Sequence, residues 1–205
     1  VKPTMPDGGT TAAGAITTWL RPLQPVLDPG GRIDWTRLTV VAERLDHALM
    51  RHPVGPDLPA GAERSRRLRL IRQDLAREVD TTADPDLLQV LTQFVCGYCD
   101  IDLRDTTGLG HGRLIARHGS PQARQRWILR LLAGDLAGIA VTEPHGGSRP
   151  AETHTCAVAG SGGTWTVTGR KTWISRLTEA AVFVLFFRAP DGRLVAAAID
   201  ANEPG

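Results

Sequence analysis

Gly138-Ile139-Ala140-Val141-Thr142-Glu143-Pro144-His145-Gly146-Gly147-Ser148 is the stretch at which this chain changes character. Upstream, apolar residues recur at helical spacing; downstream they alternate as along half-buried strands. Within the stretch, Ile139 to Thr142 read as an apolar strand. Pro144, Gly146, Gly147 and Ser148 then form a turn with little side-chain bulk. About twenty residues on, Gly169-Arg170-Lys171-Thr172-Trp173-Ile174-Ser175 ends a strand-rich run in an aromatic, an aliphatic and a hydroxyl residue.

Working back from this junction, Ser120-Pro121 opens a predicted helix with Ile128, Leu131 and Leu132 inward and Gly134 at its end. Before it lies Gly108-Leu109-Gly110-His111-Gly112. A glycine-rich loop cradles phosphate when it follows a strand, and none precedes this one, so close helix packing or a kink is the better reading. Asp84-Pro85 predicts a helix through Leu87, Leu88, Leu91 and Val95 to about Asp105. A helix over 62–79 carries Leu68, Ile71 and Leu75 on one face and Arg64, Arg66, Arg67 and Arg72 on another, read as solvated. Asp34 caps a helix with Leu38, Val41, Leu45 and Leu49 inward, stopped by Pro53. Asp100 and Arg104, four apart, are expected to pair on the surface.

Downstream, 153–159, 164–168, 172–175, 181–188 and 194–199 read as strands, with Gly160-Ser161-Gly162-Gly163 and Pro190-Asp191-Gly192 as turns. Helices followed by strands imply an α+β chain: a flexible lead-in over 1–33, an all-α domain over 34–137, and an antiparallel β-domain over 138–205.

Composition narrows the function. Lys+Arg number 24 and Asp+Glu 22, a net charge of +2 that gives no reason to expect nucleic acid. No apolar run reaches the roughly 20 residues of a membrane span, so a cytoplasmic protein is expected. Cys96 and Cys99 form a C-x-x-C without the second pair or spaced histidines that zinc requires, and read as small core or groove residues. Cys156 falls in a predicted strand and needs no special role.

The segments around 138–175 resemble the paired flavin-binding segments of the acyl-CoA dehydrogenase family, T-E-P-x-x-G-S-D and G-x-K-x-W-I-T/S. Arg117-His118-Gly119-Ser120-Pro121-Gln122 through Leu131-Leu132-Ala133-Gly134-Asp135 is similar to the helix that precedes the family's first strand. The resemblance covers roughly 108–188 and implies FAD as cofactor. It implies that Ile139, Val141 and Thr142 line the isoalloxazine, with Thr142 bonding its pyrimidine edge. Gly147 and Ser148 would approach the diphosphate, Trp173 and Ile174 would pack by the ring, and Ser175 would bond near N5. Such a ring needs donors along its edges and an apolar wall, which these residue types supply. Two positions depart from the family pattern: Arg149 replaces the usual Asp, and Arg176 a frequent Asn. His145 fills a variable position, and no catalytic or metal role is expected of it.

The resemblance implies α,β-desaturation of an acyl-CoA or acyl-carrier-protein thioester, with hydride passing to flavin N5 and then to an electron-transfer acceptor or oxygen. It implies a homo- or hetero-oligomer. The family's Glu base lies in a C-terminal helical bundle that has no counterpart within these 205 residues, and neither Glu143 nor Glu179 matches it, so no catalytic base is assigned. The chain is expected to be a fragment of a longer protein, or one piece of a complex whose second piece supplies the bundle. A flavin monooxygenase on the same fold and a non-catalytic subunit are the alternatives.

Overall fold

The computed structural model describes residues 11–55, 57–75, 86–147 and 149–203. They fall into two compact units, Val1–Gly108 and Leu109–Gly205. Pro85 and its neighbour Asp84, Ser148 and the end of the helix expected over 62–79 lie outside the described residues.

The first unit is helical. Its helices are α1 (Ala12–Ala15), α2 (Gln24–Leu27), α3 (Trp35–Arg51), α4 (Ala62–Leu75) and α5 (Asp86–Cys99), and a π turn and a 3-10 turn link α1 to α2. The described part of the lead-in is docked. Ala12, Ile16 and Leu20 are buried in the core, and the backbone N–H groups of Ala12 and Ala13 donate to the Asp46 carboxylate on α3 at 2.7 and 3.0 Å. That carboxylate satisfies donors a helix N-terminus leaves open. Asp34 caps α3 by accepting from Arg37 N, and Leu38, Val41 and Leu45 face inward as their spacing predicts. Leu68, Ile71, Leu75, Leu88, Leu91, Val95 and Cys96 complete this core.

Three expectations are corrected here. Helix α5 stops at Cys99 rather than near Asp105, because Asp100 turns to an extended conformation and its side chain accepts from Asp102 N. Asp100 pairs with Arg64, not with Arg104 on the surface. Arg64 is buried; it donates to Asp100 at 2.7 Å, to Asp102 at 2.9 Å and to the carbonyls of Gly55 and Leu58. Arg72 is buried too, donating to Asp105 O at 2.6 Å. Each sits where its guanidinium reaches buried carboxylates or carbonyls, so half of the expected solvated face is internal glue. Arg66 and Arg67 stay on the outer side and share Glu63.

The second unit packs helices α6 (Arg113–His118) and α7 (Pro121–Leu132) on a five-stranded sheet. Its strands are β1 (Ala137–Ala140), β2 (Cys156–Ala159), β3 (Trp165–Thr168), β4 (Val182–Arg188) and β5 (Leu194–Asp200). Ser120 caps α7 by accepting from Ala123 N, with Pro121 in the first turn. Ile115, Trp127, Leu131, Ala137, Val182 and Val184 form the shared core. Gly112 lets the loop before α6 into this packing: a Cβ there would stand 2.4 Å from Leu131 Cδ1. Close approach, not phosphate binding, accounts for that glycine.

The α+β class is as expected, and the sheet is mixed. Pairs β2–β3 and β4–β5 are antiparallel, across the two glycine-bearing turns read from the sequence, whereas β1 runs parallel to β4 with Ile139 opposite Val184. The chain between β1 and β4, residues 141–181, is long enough to cross over and return in the same direction. That excursion contains both segments singled out in the sequence. The run 172–175 forms no strand: only Ser175 makes an isolated bridge, to Ile139. Trp173 and Arg176 adopt positive φ angles of 55° and 60°, which interrupt extended backbone.

Candidate cofactor-binding site

Strand β1 ends at Ala140, two residues earlier than its apolar pattern suggests, which frees Val141 and Thr142 from the ladder. The chain then closes a tight turn: Glu143 N donates to Gly146 O and Gly146 N to Glu143 O. Gly146 has φ 154°, a conformation side-chain-bearing residues rarely take. At Gly147 a Cβ would stand 2.7 Å from Thr142 Oγ1. The turn therefore folds back on Thr142 only because its glycines leave room.

Glu143 anchors the turn from inside. Its Oε1 accepts from Lys171 Nζ at 2.8 Å, from Thr155 N at 2.9 Å and from the Thr155 hydroxyl, and its Oε2 accepts from His154 N at 2.7 Å. Burial alone would raise this carboxyl's pKa. The Lys171 ammonium, with the Thr155 hydroxyl and two backbone N–H groups, outweighs that and holds it well below the usual carboxylate range. Lys171 also donates to Val141 O at 3.1 Å, and Thr172 N to Thr142 O at 2.8 Å. The second segment is thus laid against the first by a buried ion pair and backbone bonds. Gly138 permits this approach: a Cβ there would meet Ser175 O at 2.5 Å.

The structure brings Ile139, Val141, Thr142, Ile174 and Ser175 together, all half-buried, with Trp173 almost fully exposed at 90%. Gly147 is exposed at the turn, and Ser148 lies outside the described residues. Below the turn is a cleft of about 200 Å³ lined by His145, Gly146, Gly147, Arg149 and Glu152. Arg149 is exposed and pairs with Glu152 at 3.0 Å. Arg176 is buried and pairs with Glu179 at 3.3 Å. The Glu143–Lys171 pair was not read from the sequence. Signals for it were present: Glu143 and Lys171 fill the fixed E and K of the two segments, and Lys171 and Lys2 are the chain's two lysines, among many arginines.

Residues 138–205 match the family model described as the acyl-CoA dehydrogenase middle domain. Over that stretch the chain is an acyl-CoA dehydrogenase middle domain. It carries the fold of that family's N-terminal and middle domains. The human mitochondrial short-chain specific acyl-CoA dehydrogenase is 36% identical over 73 residues, which is 35% of this chain and 18% of that one. An acyl-CoA dehydrogenase from Geobacillus kaustophilus superposes with a TM-score of 0.67 at 19% identity, covering 85% of this chain and 50% of that one. A glutaryl-CoA dehydrogenase from Mycobacterium smegmatis, solved in complex with FADH2, gives 0.66 at 19% identity, covering 88% and 49%. The chain thus spans about half the length of these acyl-CoA dehydrogenase structures and a smaller share of the human relative. Among its described residues, no helix is long and apolar enough to cross a membrane.

Proposed function

We propose that this chain holds FAD against the 139–147 and 173–175 segments, as part of an FAD-dependent acyl thioester dehydrogenase. The observation that carries the reading is the buried Glu143–Lys171 pair, which lays the two segments side by side. The residues fit the cofactor. The hydroxyls of Thr142 and Ser175 make no hydrogen bond to another described residue. Each can serve a polar edge of the isoalloxazine, and the exposed Trp173 ring can cover one face. Gly146 and Gly147 present bare backbone over a polar cleft, the surface a diphosphate needs. A relative of the same fold was solved with FADH2.

Bound FAD would supply the two-electron oxidation of an acyl thioester carried on CoA or on a carrier protein. This chain's share is to bind, orient and shield: Ile139, Val141 and Ile174 form the apolar bed, and Ser148 is proposed to join Gly147 at the diphosphate. The catalytic base and the electron acceptor are proposed to come from outside these residues, in a homo- or hetero-oligomer. The family's domain division is proposed to fall at 137/138, within the packing unit that starts at Leu109.

The test uses the protein from its natural source, with any chain that copurifies. Native mass spectrometry should show bound FAD, and an acyl-CoA added anaerobically should bleach the flavin band. Bound FAD that an acyl thioester does not bleach, but that consumes oxygen once reduced, overturns the dehydrogenase reading in favour of a monooxygenase. Protein without flavin, and without affinity for added FAD, overturns the cofactor assignment itself.

A further inference from the structure

We propose that Glu143, His145 and His154 form a binding site for a divalent cation of the zinc class. Their potential ligand atoms all lie within 4.8 Å of one another. His145 Nδ1 stands 3.6 Å from Glu143 Oε2, and the two imidazole rings stack with centroids 4.0 Å apart and planes 18° from parallel.

The hydrogen bonds around the cluster single out a cation. His145 Nε2 lies 3.2 Å from Glu152 O, and a carbonyl only accepts, so Nε2 carries the ring hydrogen. In the neutral ring, Nδ1 then carries the lone pair, 3.6 Å from a carboxylate oxygen and too far for a hydrogen bond. Two acceptors this close call for a positive centre beside them. Ligands about 2.0–2.1 Å from a tetrahedral zinc stand roughly 3.3 Å apart, against 3.6 Å between His145 Nδ1 and Glu143 Oε2, and the stacked imidazoles would turn out of parallel to converge on one ion. A histidine that donates its other N–H to a backbone carbonyl is also the usual support of a metal ligand, because that bond sets the tautomer and the ring's aim.

Glu143 is prepared for the same task. Lys171 and Thr155 occupy its Oε1, while among the described residues Oε2 accepts only from His154 N and so keeps a lone pair. The backbone bond from His154 to that oxygen also holds the third ligand beside it. Both imidazoles are exposed, leaving further coordination positions to water. Two nitrogens and one oxygen suit a borderline ion such as Zn²⁺ better than Ca²⁺ or Mg²⁺. The cation would tie the turn at 143–147 to the chain entering β2, across the excursion between them.

This site depends on neither flavin nor acyl substrate, and its test needs neither. Zn²⁺ is titrated into the metal-free chain against a chromophoric chelator, and Co²⁺ binding is followed by visible absorption. One tight equivalent is expected, weakened at least about tenfold in His145→Ala and in His154→Ala and unchanged in Cys156→Ser. Unchanged far-UV circular dichroism and melting temperature in the metal-free variants show that they fold. The Co²⁺ spectrum should lack a thiolate charge-transfer band. No saturable equivalent, equal affinity in the double histidine variant, or binding that follows Cys156 would each overturn the proposal.

Discussion

Lys171 reaches from one half of the 141–181 excursion to Glu143 in the other, with Nζ 2.8 Å from Oε1 and both side chains at most 5% exposed. The ammonium also holds the carbonyl of Val141, so one side chain ties the end of β1 to the turn that follows. Removing it strands a buried carboxylate, which costs far more than the pair contributes relative to apolar replacements. Lys171→Met is expected to destabilise the fold by about 3–5 kcal/mol in urea denaturation. The double variant Lys171→Met/Glu143→Gln should recover much of that loss. A single variant as stable as the parent would contradict the anchoring role.

The same pair makes stability depend on acid. The folded Glu143 carboxyl titrates below the ordinary glutamate value of 4.5, so its contribution is complete above that value and is lost as pH falls through the lower folded one. Between about pH 6 and about pH 3 the parent should lose more stability than Glu143→Gln, and the gap between them should narrow. Denaturant midpoints across that range give the comparison. Parallel pH profiles would be the contrary result.

Gly112 is predicted to resist substitution for reasons of space. Alanine would drive its Cβ into Leu131, which is packed in the core of the second unit. Gly112→Ala should cost about 1–3 kcal/mol through overpacking, while Gly30→Ala, where the nearest atom is the Arg32 side chain at 3.5 Å, should cost much less. Thermal melts of the two variants distinguish packing from a general intolerance of replacing glycine.

Trp173 is the opposite case. Its ring is 90% exposed, so its removal takes little from the fold. If it covers the flavin, Trp173→Ala should weaken FAD binding on the order of tenfold, ~1.4 kcal/mol, with the melting temperature of the flavin-free protein unchanged. Flavin fluorescence titration reads the affinity. Equal FAD affinity in variant and parent would remove Trp173 from the proposed site.

Elements whose signals are local were legible in the sequence. Asp34 and Ser120-Pro121 cap helices where read, the inward residues of α3 and α4 follow their 3.6 period, and glycine-bearing turns close the hairpins β2–β3 and β4–β5. These depend on a residue and its near neighbours, so spacing suffices. The motif order around 138–175 also sufficed to point to the family. Features that depend on partners far along the chain emerge only on folding. Arg64 is buried because Asp100 and Asp102, more than thirty residues away, converge on it, although i,i+4 spacing pointed Asp100 to Arg104. Strand β1 is parallel to β4 because the excursion between them is long enough to return. Residues 172–175 form a loop, against a sequence pattern that favours a strand, where Lys171 is held to Glu143 and Val141 and Thr172 to Thr142. His145 meets His154 for the same reason: ligands separated by a closed turn carry no periodic signal, and only the folded backbone stacks them.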